Sequence, residues 1–139
     1  MKEIVVKTVL LKNGLELTFF DISRRIAGDR WQIEILARMD IPIDHCLQFE
    51  QTVNIITAQD IKNILGERVS FEKAMVRNFI DEKEKDLTVK NMCESYLSSA
   101  KEYLSHKDFA ERFVKKTYRE IFQKRQLENL IKKGVDDGG

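Results

Sequence analysis

The chain has 139 residues, of which 42% are hydrophobic and 34% are charged. This length and composition suit one core, so we predict a single domain over residues 1–139. Its 24 lysines and arginines nearly balance its 23 aspartates and glutamates. The net charge of the chain therefore does not attract nucleic acid or an anionic membrane. Any partner that binds through charge must bind a local patch of charged residues.

The beginning of the chain lacks the pattern of a secretory signal. Lys7 and Lys12 interrupt its apolar residues, and no apolar run approaches membrane-spanning length. The two cysteines, Cys46 and Cys93, are too few for the disulfide framework of a small secreted fold. We therefore expect a cytoplasmic protein without membrane association.

The first predicted elements are two strands joined by a tight turn. The first strand covers about residues 3–11, and Asn13-Gly14 is the pair that most readily forms a two-residue type I′ turn. That loop places Leu10 opposite Leu17 and Thr8 opposite Phe19. One side of this hairpin then carries the apolar residues Ile4, Val6, Leu10, Leu15, Leu17 and Phe19.

The third predicted strand has the clearest pattern in the chain. Apolar residues alternate with polar ones from Trp31 to Ile41, and Pro42 fits a strand end. Before this strand, apolar residues occupy odd-numbered positions in residues 15–19 and even-numbered positions from Phe20 onward. This switch predicts a β-bulge near Phe20 or Asp21.

The middle of the chain is harder to assign. Residues 44–56 fit a strand and a helix equally well. A short helix follows, with Thr57 as its N-cap and Gly66 at its end, and then a strand over residues 69–76. Residues 77–81 then supply Arg, Asn and Asp, which we expect to close a polar network that fixes the sheet against the helical pair; lining a cleft is the alternative.

Two helices are predicted next. The charged run from Asp81 to Asp86 begins the first, whose apolar stripe is Val89, Met92, Cys93, Tyr96, Leu97, Ala100, Tyr103 and Leu104. A capping box at residues 105–108 starts the second, whose expected buried face is Phe109, Ala110, Phe113, Val114, Thr117 and Ile121. Lys124 falls on that face, so this helix must bend, end or meet a different partner there.

Together these elements predict an α+β fold. Residues 1–80 supply an antiparallel meander of three or more strands with one short helix, residues 81–133 supply a helical pair, and residues 134–139 form a frayed tail. We expect the apolar face of the meander to pack against the C-terminal pair of α-helices. Trp31 is expected in that core, against residues such as Phe113.

No residue pattern indicates an enzyme. His45 and Cys46 are adjacent and point in different directions, and His106 and Cys93 lie far away without a Cys-x-x-Cys motif, so the spacing does not fit zinc. No carboxylate stands out as a general base. We therefore predict no catalytic residue, no metal and no cofactor, and an enzyme or nucleotide-binding domain with an unrecognised site is the third alternative.

Two groups of basic residues are candidate anion contacts. Arg24 and Arg25 follow an Asp-x-Ser segment and have the donor geometry that suits phosphate. A basic patch on the last helix has the spacing of a single helix face; its members are Arg112, Lys115, Lys116 and Arg119. This patch predicts, as the second hypothesis, a nucleic-acid-binding accessory protein.

The leading hypothesis is a non-enzymatic protein-interaction module that binds a protein partner or self-associates. Leu127, Leu130 and Ile131 extend an apolar edge beyond the stripe that the core uses. An apolar edge outside the core is typical of a surface that binds protein.

Overall fold

The structure, a computed structural model, describes residues 3–46 and 58–137, and at residues 45, 46, 58 and 134–137 it describes the backbone only. A 3₁₀ turn, Glu82–Glu84, precedes the third helix. The other elements are β1 Ile4–Leu10, β2 Glu16–Asp21, β3 Arg24–Ala27, β4 Arg30–Pro42, α1 Ile43–Cys46, α2 Ala58–Leu65, β5 Arg68–Asp81, α3 Lys85–Ser105 and α4 Phe109–Asp137. The α+β class is confirmed.

The chain divides into two compact units. The first contains Met1–Asp40 and Ser70–Phe109, and the second contains Ile41–Val69 and Ala110–Gly139. The chain passes from one unit to the other within β4, within β5 and at the first turn of α4. The single domain over residues 1–139 stays a prediction.

The five strands form one sheet, in which β4 pairs with β2, β3 and β5. β2 and the first two residues of β3 keep the same antiparallel register on β4, as Phe19 opposite Ala37 and Arg24 opposite Gln32 show; the register then shifts between Arg25 and Ala27. They therefore act as two segments of one strand along one edge of β4. The side chain of Ser70 bonds to Asp40 across the β4–β5 pair. The predicted antiparallel meander is confirmed.

The first hairpin exists, but its predicted register is wrong by one residue. Leu10 lies opposite Glu16, and Thr8 lies opposite Thr18. The loop has three residues rather than two, because the amide of Leu11 bonds to the carbonyl of Leu15. Gly14 supplies the positive φ of 88° that such loops need. Consequently Leu10, expected on the buried side, is 70% exposed.

The predicted bulge lies on the neighbouring strand. β2 pairs with β4 without a shift from Thr18 to Asp21. The register shift is instead in β1 between Val5 and Lys7, opposite Phe20 and Phe19. The inserted residue changes the facing of β1 only. On β2, Phe20 alternates regularly with the buried Phe19 and faces the other side of the sheet, where its ring lies 5.0 Å from the Arg38 guanidinium.

The core of the first unit lies between one face of the sheet and α3. Alternate residues of β2 and β4 are buried, as the sequence predicted for β4. The aromatic ring of Tyr96 on α3 meets the ring of Phe19 edge-on at 6.2 Å. The buried apolar residues of this unit are Leu11, Leu15, Leu17, Phe19, Ile33, Ile35, Ala37, Met39, Val89, Met92, Cys93, Leu104 and Phe109.

Trp31 is not a core residue, contrary to expectation. It is half-buried, and its indole ring contacts two cations. The Lys85 ammonium lies 4.1 Å from the ring centroid, and the Arg25 guanidinium lies 5.5 Å from it. Trp31 stands at the start of β4, beyond the fully buried positions, where cation–π contacts replace apolar packing.

The second unit contains α1, α2 and most of α4. Its buried residues are Ile41, Ile43, Ile61, Ala110, Val114 and Tyr118. α2 ends at Gly66, which has a φ of 83° and donates its amide to the carbonyl of Lys62, as the sequence predicted. In the segment 44–56, which the sequence leaves open between strand and helix, residues 44–46 belong to the helix α1. The rest of that segment and the N-cap assigned to Thr57 lie outside the described residues.

α4 differs from its prediction at both ends. Ser105 belongs to α3 rather than to a capping box, and the imidazole Nδ1 of His106 accepts the amide of Asp108 at 3.1 Å. Tyr118 is buried, although the predicted face omitted it. The helix continues without a break through Lys124 to Asp137.

Candidate functional site

Three large apolar side chains project from the last turns of α4. Leu127 is 59% exposed, Leu130 is 67% exposed and Ile131 is 58% exposed. Their spacing of three and four residues places them on one side of the helix. We call these three residues the α4 apolar cluster.

The α4 apolar cluster does not continue the buried stripe of the same helix. The buried stripe follows Ala110, Val114 and Tyr118 at intervals of four residues. At 3.6 residues per turn, the cluster lies roughly 140° around the helix axis from that stripe. Every side chain in the range 122–133 is exposed. This part of α4 therefore has an apolar face that nothing among the described residues covers.

The basic patch of Arg112, Lys115, Lys116 and Arg119 is exposed at all four positions. Bonds within α4 engage Lys115 and Arg119: the ammonium of Lys115 donates to the carboxylate of Glu111 at 2.8 Å, and Nε of Arg119 donates to the backbone carbonyl of Lys115 at 3.4 Å. Tyr118, beside the patch, is buried and stacks on Phe122 with a centroid distance of 5.8 Å. Tyr118 therefore has no free face for a nucleobase, and Phe122 is the aromatic ring at this surface.

The two candidate anion contacts, Arg24 and Arg25, are bonded within the protein. The guanidinium of Arg25 donates to the carboxylate of Glu82 at 3.0 Å. Arg24 donates from Nε to the amide oxygen of Gln32 at 2.9 Å. An anion at Arg25 would have to displace a carboxylate, whereas Arg24 forms no ion pair with any described residue.

The structure offers no metal site or reactive thiol among the described residues. No group of His, Cys, Asp and Glu side chains there has the geometry to hold a metal ion. Cys93 is buried, and this burial raises the pKa of its thiol, so the unreactive protonated form prevails. The side chains of His45 and Cys46 lie outside the description.

In comparisons with known proteins, no family model, no curated protein and no solved structure matched the chain. Its function must therefore be inferred from its own residues. None of the helices in the described part is long and apolar enough to cross a membrane.

Phe79, within the segment 77–81 for which the sequence predicts a structural role, combines an exposed ring with an unusual backbone conformation. It is 73% exposed, and its φ of 58° is the one positive value at a non-glycine among the described residues. A left-handed backbone costs a bulky residue about 1–2 kcal/mol. In the neighbouring segment 77–81, Asn78 accepts a hydrogen bond from Gln32, and Asp81 pairs with Arg30. Both bonds join β5 to β4 within the sheet, so the expected network between the sheet and the helical pair stays a prediction. No periodicity in the sequence distinguishes the strained Phe79 from an ordinary strand residue.

Proposed function

We propose that this protein is a non-enzymatic interaction module of the cytoplasm, and that the α4 apolar cluster binds a protein partner or a second copy of the chain. The observation that carries the proposal is the exposure of Leu127, Leu130 and Ile131 on one side of a helix. Helices recognised in grooves present apolar anchors at this spacing.

The size of the α4 apolar cluster sets the expected affinity. Burying one Leu or Ile side chain completely is worth about 1.5–3 kcal/mol. Three such residues therefore contribute several kcal/mol, while association costs an estimated 4–15 kcal/mol in lost freedom of motion. The cluster alone supports a weak, reversible complex, and tighter binding requires further contacts from the partner.

Replacing the α4 apolar cluster with glutamine tests this function. The triple variant Leu127→Gln, Leu130→Gln, Ile131→Gln keeps good helix formers at exposed positions, so we expect an unchanged Tm. Its complex or dimer is expected to weaken at least tenfold, measured by sedimentation of the purified protein at several concentrations.

A matched control removes exposed apolar side chains elsewhere. Leu10→Gln with Leu87→Gln changes two residues that are as exposed as the cluster, on β1 and α3. This control should associate like the wild type. Equal association by the triple variant and the wild type would count against the proposed role of α4.

The second candidate function is nucleic-acid binding through the basic patch, supported by the exposure of its four cations. If the patch binds phosphates, affinity for a single-stranded oligonucleotide should fall steeply between 50 and 200 mM salt, with a slope of about −0.7 for each phosphate contact on a single strand. Charge reversal at Lys116 and Arg119 should remove binding without lowering Tm. Binding that ignores salt would exclude this candidate.

A further inference from the structure

The strained residue Phe79 lies at an irregularity in β5. Up to Asn78, β5 follows one register on β4, as the bonds from Ser70 to Asp40 and from Gln32 to Asn78 show. Beyond it, the amide of Glu82 bonds to the carbonyl of Asp29, one residue out of that register. Phe79, with its left-handed φ of 58°, is therefore the inserted residue of a β-bulge.

Glycine is the usual residue where a bulge needs a left-handed backbone. Phe79 gains little from packing in return for its strain, since it is 73% exposed. Strained positions of this kind cluster where a side chain must be held in a particular direction for binding. Aromatic side chains are also the most frequent anchors of protein interfaces.

The charges around Phe79 are not balanced. Arg25 is paired with Glu82, and Arg30 is paired with both Asp81 and Asp29. Arg77 is exposed two residues before Phe79 and forms no ion pair with a described residue.

A second cation without an ion pair, Arg24, is joined to Asn78 by a row of hydrogen bonds. Arg24 donates to Gln32 at 2.9 Å, and Gln32 donates to Asn78, the neighbour of Phe79, at 2.9 Å. Arg24, Gln32 and Asn78 thus share one face of the sheet, and strand alternation places Arg77 on the other, so a cation without a carboxylate partner lies on each side of the segment that carries the ring. A partner that covers Phe79 must supply carboxylates to match these cations.

We propose that Phe79 is the anchor of a second protein-binding surface, whose partner presents an apolar pocket bordered by acidic side chains. A single ring among ion-paired carboxylates favours a protein over nucleic acid, because a single strand needs several stacking rings and an unbroken basic groove. This surface is independent of the α4 apolar cluster, which belongs to the second unit.

Photo-crosslinking from position 79 tests the proposal directly. The full chain carrying p-benzoylphenylalanine in place of Phe79 is irradiated in the cells that produce it, and the captured protein is identified, purified and titrated calorimetrically. We expect Phe79→Asn to weaken its binding at least tenfold. Because asparagine tolerates the left-handed backbone, Tm should stay equal or rise by a few degrees.

Three further variants make the test decisive. Arg24→Gln with Arg77→Gln should weaken binding several-fold and reduce its salt dependence, while Leu10→Asn, an equally exposed control on β1, should bind normally. The glutamine triple variant of α4 should still crosslink at position 79, which separates this surface from the proposed function of α4. Capture of nucleic acid, absence of any captured protein, or unchanged affinity of Phe79→Asn would overturn the proposal.

Discussion

Replacing Phe19 with alanine is expected to lower the free energy of unfolding by about 3–5 kcal/mol. The side chain of Phe19 is completely buried and packs edge-on against Tyr96 of α3. Its removal leaves a cavity between the sheet and the helix that the surrounding strands cannot fill. Urea unfolding followed by tryptophan fluorescence measures the change.

The control for Phe19 also tests the hairpin register. Leu10→Ala removes a leucine from the same hairpin, but the observed register leaves that side chain 70% exposed. We expect a change of no more than about 0.5 kcal/mol. A loss of several kcal/mol at Leu10 would restore the two-residue loop predicted from the sequence and contradict the observed pairing.

Replacing Asn13 with alanine is expected to cost about 1–3 kcal/mol, far more than a loop substitution usually does. The amide nitrogen of Asn13 donates to the carbonyls of Leu104 at 2.8 Å and His106 at 3.2 Å, at the end of α3. Its amide oxygen accepts the backbone amide of Leu15. One side chain thus closes the hairpin loop and satisfies the helix terminus.

Lys12 provides the control for Asn13, because it is an exposed neighbour in the same loop. Lys12→Ala should leave the free energy of unfolding within about 0.5 kcal/mol of the wild type. Hydrogen exchange should also show faster opening of the last turn of α3 in Asn13→Ala only. Equal stability of the two variants would show that the bonds from Asn13 are unimportant.

The parts of the fold that the sequence predicts are those with a long, regular pattern. β4 alternates over its whole length, and the burial of Ile33, Ile35 and Ala37 follows that alternation. Likewise the stripe of α3 includes Val89 and Met92, both buried. In these elements many residues follow one periodic pattern, so the assignment of strand or helix does not depend on any single position.

Other features depend on one residue and escape pattern analysis. Asn13-Gly14 suits two loop lengths, and a difference of one loop residue moves Leu10 from the buried face to the exposed one. The left-handed backbone at Phe79 is set by the bulge in β5, and residue preferences alone predict the opposite.

The same difference between regular patterns and single contacts applies to the candidate surfaces. The residues of the α4 apolar cluster have helical spacing but lie off the stripe that the core uses. The sequence alone therefore identifies Leu127, Leu130 and Ile131 as a candidate surface. The engagement of Arg25 with Glu82 was not foreseen, because the two residues are far apart in the sequence. Anion contacts depend on such distant neighbours as much as on the arginine itself.

Native mass spectrometry of the protein purified gently from its own cells shows directly whether the protein is bound to a partner or to a second copy of the chain. We expect a dimer or a complex with another protein, and we expect the glutamine triple variant of Leu127, Leu130 and Ile131 to lose that mass while keeping its fold. A monomer that carries a nucleotide, a metal ion or nothing at all would contradict the assignment of α4 as a protein-binding surface.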